Sequence, residues 1–95
     1  AVIAINDYVA AGVIRSATEH GYRIPEDISV VSYDNTQLAE LLTPRLTSID
    51  YDYANYGRML INMAIATIKG IKVPKNQKIM PRLVVRDSVR RCNRT

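Results

Sequence analysis

The sequence predicts an α/β fold built around a parallel sheet, and three observations support this. Two short apolar, β-branched runs, Ala1-Val2-Ile3-Ala4-Ile5 and Ile28-Ser29-Val30-Val31-Ser32-Tyr33, flank a segment of helical period. Each run leads at once into Asn and Asp, as Asn6-Asp7 and Asp34-Asn35, residue types that cap helices and form turns. The chain has 95 residues, 47% of them hydrophobic and 23% charged, which suits one small packed unit and is too short for both walls of a cleft enzyme plus a second module.

In chain order, residues 1–5 predict a buried strand that runs into a helix capped at Asn6-Asp7. That helix extends to about His20, with Val9, Val13, Ile14 and Ala17 on its inner face and Gly21 as its stop. Ile24-Pro25-Glu26-Asp27 turns the chain into the second strand, residues 28–33. Two buried strands about a helix form a βαβ unit, parallel and right-handed. A short apolar stretch with Leu38, Ala39, Leu41 and Leu42 is stopped by Thr43-Pro44, because proline disfavours helix in the residue before it. Leu46-Thr47-Ser48-Ile49 predicts a third strand. From Tyr53 to about Lys69 a long helix is apolar around most of its circumference, which predicts packing on two sides, and Gly70 ends it. A Lys-rich connector, residues 72–78, leads to a last strand at Leu83-Val84-Val85, followed by a polar tail from Arg90 to Thr95.

Several function classes fall away. No run of apolar residues is long enough to span a membrane. The net charge of +4 owes much to Arg82, Arg86, Arg90, Arg91 and Arg94 at one end, without a helix-turn-helix or zinc-finger pattern around them. Those arginines are expected in a solvated end, or in salt bridges to a lobe outside this sequence. The start at Ala1, without Met or a basic leader, suggests a chain begun in the middle of a longer one. Cys92 is the only cysteine, so an internal disulfide and a cysteine-based metal site are excluded, and a reducing compartment fits. His20 has no ligating neighbours in sequence and belongs at a helix end or in solvent. The four glycines, at 12, 21, 57 and 70, form no phosphate loop, and no spacing fixes a catalytic carboxylate pair. No catalytic residue, metal ligand or cofactor site is predicted.

Binding is better supported. In parallel sheets ligands gather at the carboxyl ends of strands, and Asn6-Asp7 and Asp34-Asn35 share that edge. Such side chains can exchange hydrogen bonds with sugar hydroxyls, or they can simply cap and turn; both readings stand. Tyr51 and Tyr53 flank Asp52 before the long helix. In an extended segment their rings share a face, as a platform for a sugar ring or as aromatics at a core edge or interface.

Asn6-Asp7 with Ala10 and Gly12, then Gly21, Ile24-Pro25-Glu26-Asp27-Ile28-Ser29-Val30-Val31, Tyr33-Asp34-Asn35, Pro44-Arg45-Leu46-Thr47-Ser48-Ile49, Gly57 and Leu83-Val84-Val85-Arg86-Asp87-Ser88 form an ordered series of blocks. The series resembles the C-terminal part of the lactose-repressor/galactose-repressor family of bacterial transcription regulators, over residues 2–88. The resemblance implies an incomplete periplasmic-binding-protein-like (type I) two-lobed fold. Residues 1–50 would belong to its C-terminal lobe, 51–79 to a hinge crossing and a helix packed on the N-terminal lobe, and 80–95 to a return and tail.

By the same resemblance, Asn6 and Asp34 contact the effector, Tyr51 and Tyr53 are hinge positions lining the same cleft, and Asp7 braces the loop. Ala11, Arg15, Leu38, Leu41 and Leu42 fall on the dimer face. Ser32 departs from a glycine common in the family. The implied partners are a small-molecule effector, a sugar by the chemistry of Asn6 and Asp34, a second copy of the chain, and operator DNA through a helix-turn-helix headpiece absent from this sequence. The implied location is the cytoplasm. A sugar-binding protein of an uptake system is the alternative with the same core fold, and an α/β enzyme fragment is a third reading that lacks a catalytic constellation.

Overall fold

The computed structural model describes residues 1–93; of the predicted tail, Arg94 and Thr95 lie outside the described residues. The chain divides into two compact units, one formed by Ala1–Asp50 with the segment from Arg82 onward, the other by Tyr51–Pro81.

The first unit holds a sheet in the order β1 (Val2–Ile3), β2 (Val30–Tyr33), β3 (Thr47–Asp50), β4 (Arg82–Val84). β1, β2 and β3 run parallel, with Val2 opposite Val30 and Ser32 opposite Ser48. β4 is antiparallel to β3, with Ser48 opposite Val84. The expected parallel βαβ unit is thus present, and an antiparallel edge strand is added to it.

Between β1 and β2 lies α1 (Asp7–Glu19). Asn6 caps it, its Oδ1 accepting from the Val9 N–H at 2.9 Å. Gly21 follows the helix at φ 81°, a left-handed geometry that costs a glycine nothing. The helix buries Ala10 and Ile14, with Val13 and Ala17 packed beside them, against a core of Ala4, Ile24, Val30, Ala39 and Leu46. Val9, expected on that face, is exposed instead. Ala10 takes the inner position one residue further round, so the buried stripe is narrower and built of smaller side chains. β1 departs from expectation too: it is shorter than residues 1–5, and only Ala4 of that run is buried. Ile3 and Ile5 are 73% and 75% exposed, because side chains alternate across a strand and this one lies at the sheet edge.

α2 (Leu38–Leu41) is a single turn before Pro44. The Ile24–Pro25 and Thr43–Pro44 peptide bonds are both cis. The chain returning after β4 closes the unit. Ser88, fully buried, donates its hydroxyl to the Val30 carbonyl at 2.6 Å and accepts from the Thr47 N–H at 2.8 Å, joining the starts of β2 and β3. Ser88→Ala leaves both backbone groups without that partner. We expect a loss of about 2 kcal/mol, measured as a lower urea midpoint for the full-length protein.

The second unit is dominated by α3 (Tyr53–Ile68), which starts at Asp52 in the left-handed region, φ 50°, and is followed by Gly70 at φ 75°. No residue of α3 is buried, and Leu60, Ile61, Ile65 and Ile68 are exposed. The packing expected on two sides is not made among the described residues.

Candidate functional site

Parallel pairing of β1, β2 and β3 brings the ends of these strands to one edge. Asn6 and Asp7 follow β1, Asp34 and Asn35 follow β2, and Asp50 ends β3. Antiparallel β4 begins at the same edge with Arg82, whose Nη2 lies 3.3 Å from Asp50 Oδ2.

The turn after β2 has an unusual backbone. Asp34 adopts φ 102° and Asn35 φ 47°, left-handed values that Asp and Asn tolerate better than other residues with a side chain. The Asp34 N–H donates to the Ile49 carbonyl at 2.9 Å, and the Asn35 N–H donates to Ser48 Oγ at 2.9 Å. The turn is therefore tied to β3 at successive residues, and strained backbone held in this way is often a mark of a ligand site.

Beneath it stands Asp7. This carboxylate is fully buried and accepts from the hydroxyls of Ser32, Ser48 and Thr36 and from the Thr36 N–H. The Ser48 and Thr36 hydroxyl contacts are 2.8 and 2.7 Å, and the Thr36 N–H contact is 2.6 Å. Burial pushes the Asp7 carboxyl upward, but the hydrogen bonds from Ser32, Thr36 and Ser48 outweigh it and hold the group below its ordinary value. Asp7 thus braces the 34–36 loop from below. Ser32, where a glycine was the family expectation, is one of its donors.

The expected ligand residues fall into both units. Asn6 and Asp34 share the strand edge of the first, each half-buried. Asn6 serves as the helix cap, which engages its amide oxygen and leaves its N–H donors as a separate resource. Tyr51 and Tyr53 belong to the second unit, with ring centroids 6.2 Å apart and planes tilted by 44°. Asp52 between them is left-handed, so the segment is not extended, yet the rings still meet. In the same unit a hollow is lined by Tyr51, Asp52, Asn55, Tyr56, Met59 and Lys78, among others.

Of the residues expected on a dimer face, Ala11 is half-buried and Arg15 exposed on α1, where Arg15 pairs with Glu19 at 3.1 Å. Leu38 and Leu42 are half-buried at α2, and Leu41 is 73% exposed. α1 and α2 touch.

Of the arginines expected in a solvated end or in salt bridges to an outside lobe, Arg86 is in neither, because it is nearly buried and bonds within its own unit, whereas the Arg82 side chain is 75% exposed. Arg82 pairs with Asp50, and the Arg86 guanidinium, with only 10% of its side chain exposed, donates to the Leu46 carbonyl at 2.7 Å and to Asn35 Oδ1 at 2.6 Å. Sequence reasoning missed Arg86, and the support roles of Ser32, Thr36 and Ser48 with it. Serines in the middle of buried strands were the available signal, since a buried hydroxyl needs a partner. His20 sits exposed at the end of α1, its Nδ1 2.7 Å from the Ser16 carbonyl. Among the described residues no group of His, Cys, Asp and Glu is arranged to hold a metal, and no helix is long and apolar enough to cross a membrane.

A family model described as a periplasmic binding protein-like domain matches residues 1–89. The chain is 39% identical over 94 residues to the HTH-type transcriptional repressor PurR of Vibrio vulnificus, covering 98% of this chain and 28% of that protein. Among solved structures it is similar to the lac repressor dimer bound to operator and an anti-inducer, with TM-score 0.87 and 34% identity over 92% of this chain and 30% of the other. It is similar also to the transcriptional regulator CelR in complex with cellobiose, with TM-score 0.86 and 31% identity over 92% of this chain and 27% of the other. The chain thus spans less than a third of the length of these relatives.

Proposed function

The chain belongs to the LacI/PurR family of transcription regulators, within the periplasmic-binding-protein-like effector domain, and from that premise we propose that it supplies effector-binding and dimer-forming residues to a sugar-responsive cytoplasmic repressor. The observation behind this reading is the common strand edge that gathers Asn6, Asp34 and Asp50. Asp34 accepts from adjacent sugar hydroxyls, and the Asn6 amide donates to another. Tyr51 and Tyr53 offer ring faces to the same ligand class. The relative in complex with cellobiose supports a sugar over other small molecules.

Ala11, Arg15, Leu38, Leu41 and Leu42 form the face that meets a second copy, with exposed Leu41 at its apolar centre. The exposed apolar side of α3 is covered by the remainder of the effector domain, with residues 51–79 crossing to it and 80–95 returning. Operator DNA is bound by a helix-turn-helix headpiece outside these residues, and the effector acts by favouring one of two arrangements of the dimer. The uptake-protein alternative is disfavoured, because the similar proteins above are regulators. The test is a thermal-shift series on the full-length protein with cellobiose, lactose, xylulose and purine bases. A sugar present at about 100 times its Kd adds about 2.7 kcal/mol to stability and raises Tm. A response to purines alone overturns the sugar assignment.

A further inference from the structure

We propose that Arg86 is a positioning residue that fixes the Asp34–Asn35 turn at the effector edge by holding the Asn35 carboxamide; this rests on the reading of Asp34 as an effector contact. Arg86 Nη2 donates to Asn35 Oδ1 at 2.6 Å, and Asn35 Nδ2 donates in turn to Asp50 Oδ2 at 3.3 Å. One orientation of the amide satisfies both neighbours, oxygen toward the guanidinium and nitrogen toward the carboxylate, so the two contacts together lock the side chain. The guanidinium is itself anchored. Its Nη1 donates to the Leu46 carbonyl at 2.7 Å, it lies 3.6 Å from Glu40 Oε1, and the Arg86 N–H donates to Thr47 Oγ1 at 2.9 Å.

Two successive left-handed residues are not held by local preference alone, so the turn needs such an external clamp. A planar fork reaches the Leu46 carbonyl and Asn35 at once, which a single ammonium on a lysine does not reproduce. Arg86 therefore links β3 and α2 to the residue beside Asp34, and its effect on ligand passes through Asn35 and not through contact.

The test is amide hydrogen exchange on the full-length protein without ligand. In Arg86→Met the Asn35 N–H, bonded to Ser48 Oγ, is expected to exchange about tenfold faster, with the Val31 amide of β2 unchanged. Arg86→Lys, which keeps the charge and stem, gives the same comparison should Arg86→Met fail to fold. An unchanged Asn35 rate in a folded variant overturns the proposal, as does equal acceleration across β2 and β3, which would make Arg86 a general structural support. Cellobiose titration of the same proteins separates the two readings. A protein that binds cellobiose should lose about tenfold in affinity on substitution of Arg86. If the unsubstituted protein does not bind cellobiose, the titration is made with the sugar that raises its Tm, and if no sugar does, the sugar assignment fails while the exchange result still decides the role of Arg86.

Discussion

Asp7→Ala is expected to destabilise the full-length protein by about 3–5 kcal/mol and to loosen the 34–36 loop. The substitution removes the acceptor of the Ser32, Ser48 and Thr36 hydroxyls and of the Thr36 N–H at a fully buried position. Donors stranded away from water cost more than the hydrogen bonds themselves were worth. Asp7→Asn keeps the shape but replaces one acceptor oxygen by an N–H2 donor facing hydroxyls that already donate. It should fall between the wild type and alanine. Urea unfolding of the three proteins checks the order, and equal midpoints would refute the bracing role.

The same residue sets a pH dependence. Because the folded carboxyl titrates below its unfolded value, the stabilisation is fully present above the unfolded pKa of about 3.9 and is lost as pH falls through the folded pKa. Asp27 and Asp87 are lowered as well, chiefly by hydrogen bonds from the side chains of Arg23 and Arg45, but both lie exposed in solvent and contribute little. Acid unfolding below about pH 4 should therefore be shallower in Asp7→Asn than in the wild type. An identical acid limb in the two proteins would assign the lost stability to other groups.

How legible these features were in the sequence follows chain distance. The limits of α1 and α3 were set by residues within the same turn: the Asn6 cap bonds three residues ahead, and Gly21 and Gly70 supply the left-handed stops. The parallel order of β1 and β2 follows from the crossover helix between them. By contrast, the partners of Asp7 lie 25, 29 and 41 residues away, and Asn35 lies 51 residues from Arg86. Periodicity reports which face is apolar, and it does not report which serine meets which carboxylate. The exposed Val9 and Ile5 mark a second limit, because an apolar residue shows that a face can be buried without showing what is present to bury it. The Asn6 and Asp34 positions were legible because each comes just after one of two parallel strands, so topology alone brings them to one edge.

Asp34→Asn should weaken sugar binding by about 10–100-fold. A carboxylate accepts from two neighbouring hydroxyls at once, and its charge strengthens both bonds. The amide retains one acceptor oxygen and presents donors in place of the other, so a vicinal diol loses one partner and the charge assistance of both. Asparagine is the informative substitution because of the backbone. At φ 102°, alanine would add strain of about 1–2 kcal/mol to any loss of ligand contact, whereas asparagine accepts left-handed geometry as readily as aspartate. The Asp34 N–H bond to Ile49 and the Asn35 bond to Ser48 do not involve the substituted carboxylate, so these ties of the turn to β3 are kept. Calorimetric titration with the sugar that raises Tm separates the outcomes. Loss of affinity in a folded variant assigns Asp34 to the ligand, and unchanged affinity leaves it as a residue of the turn.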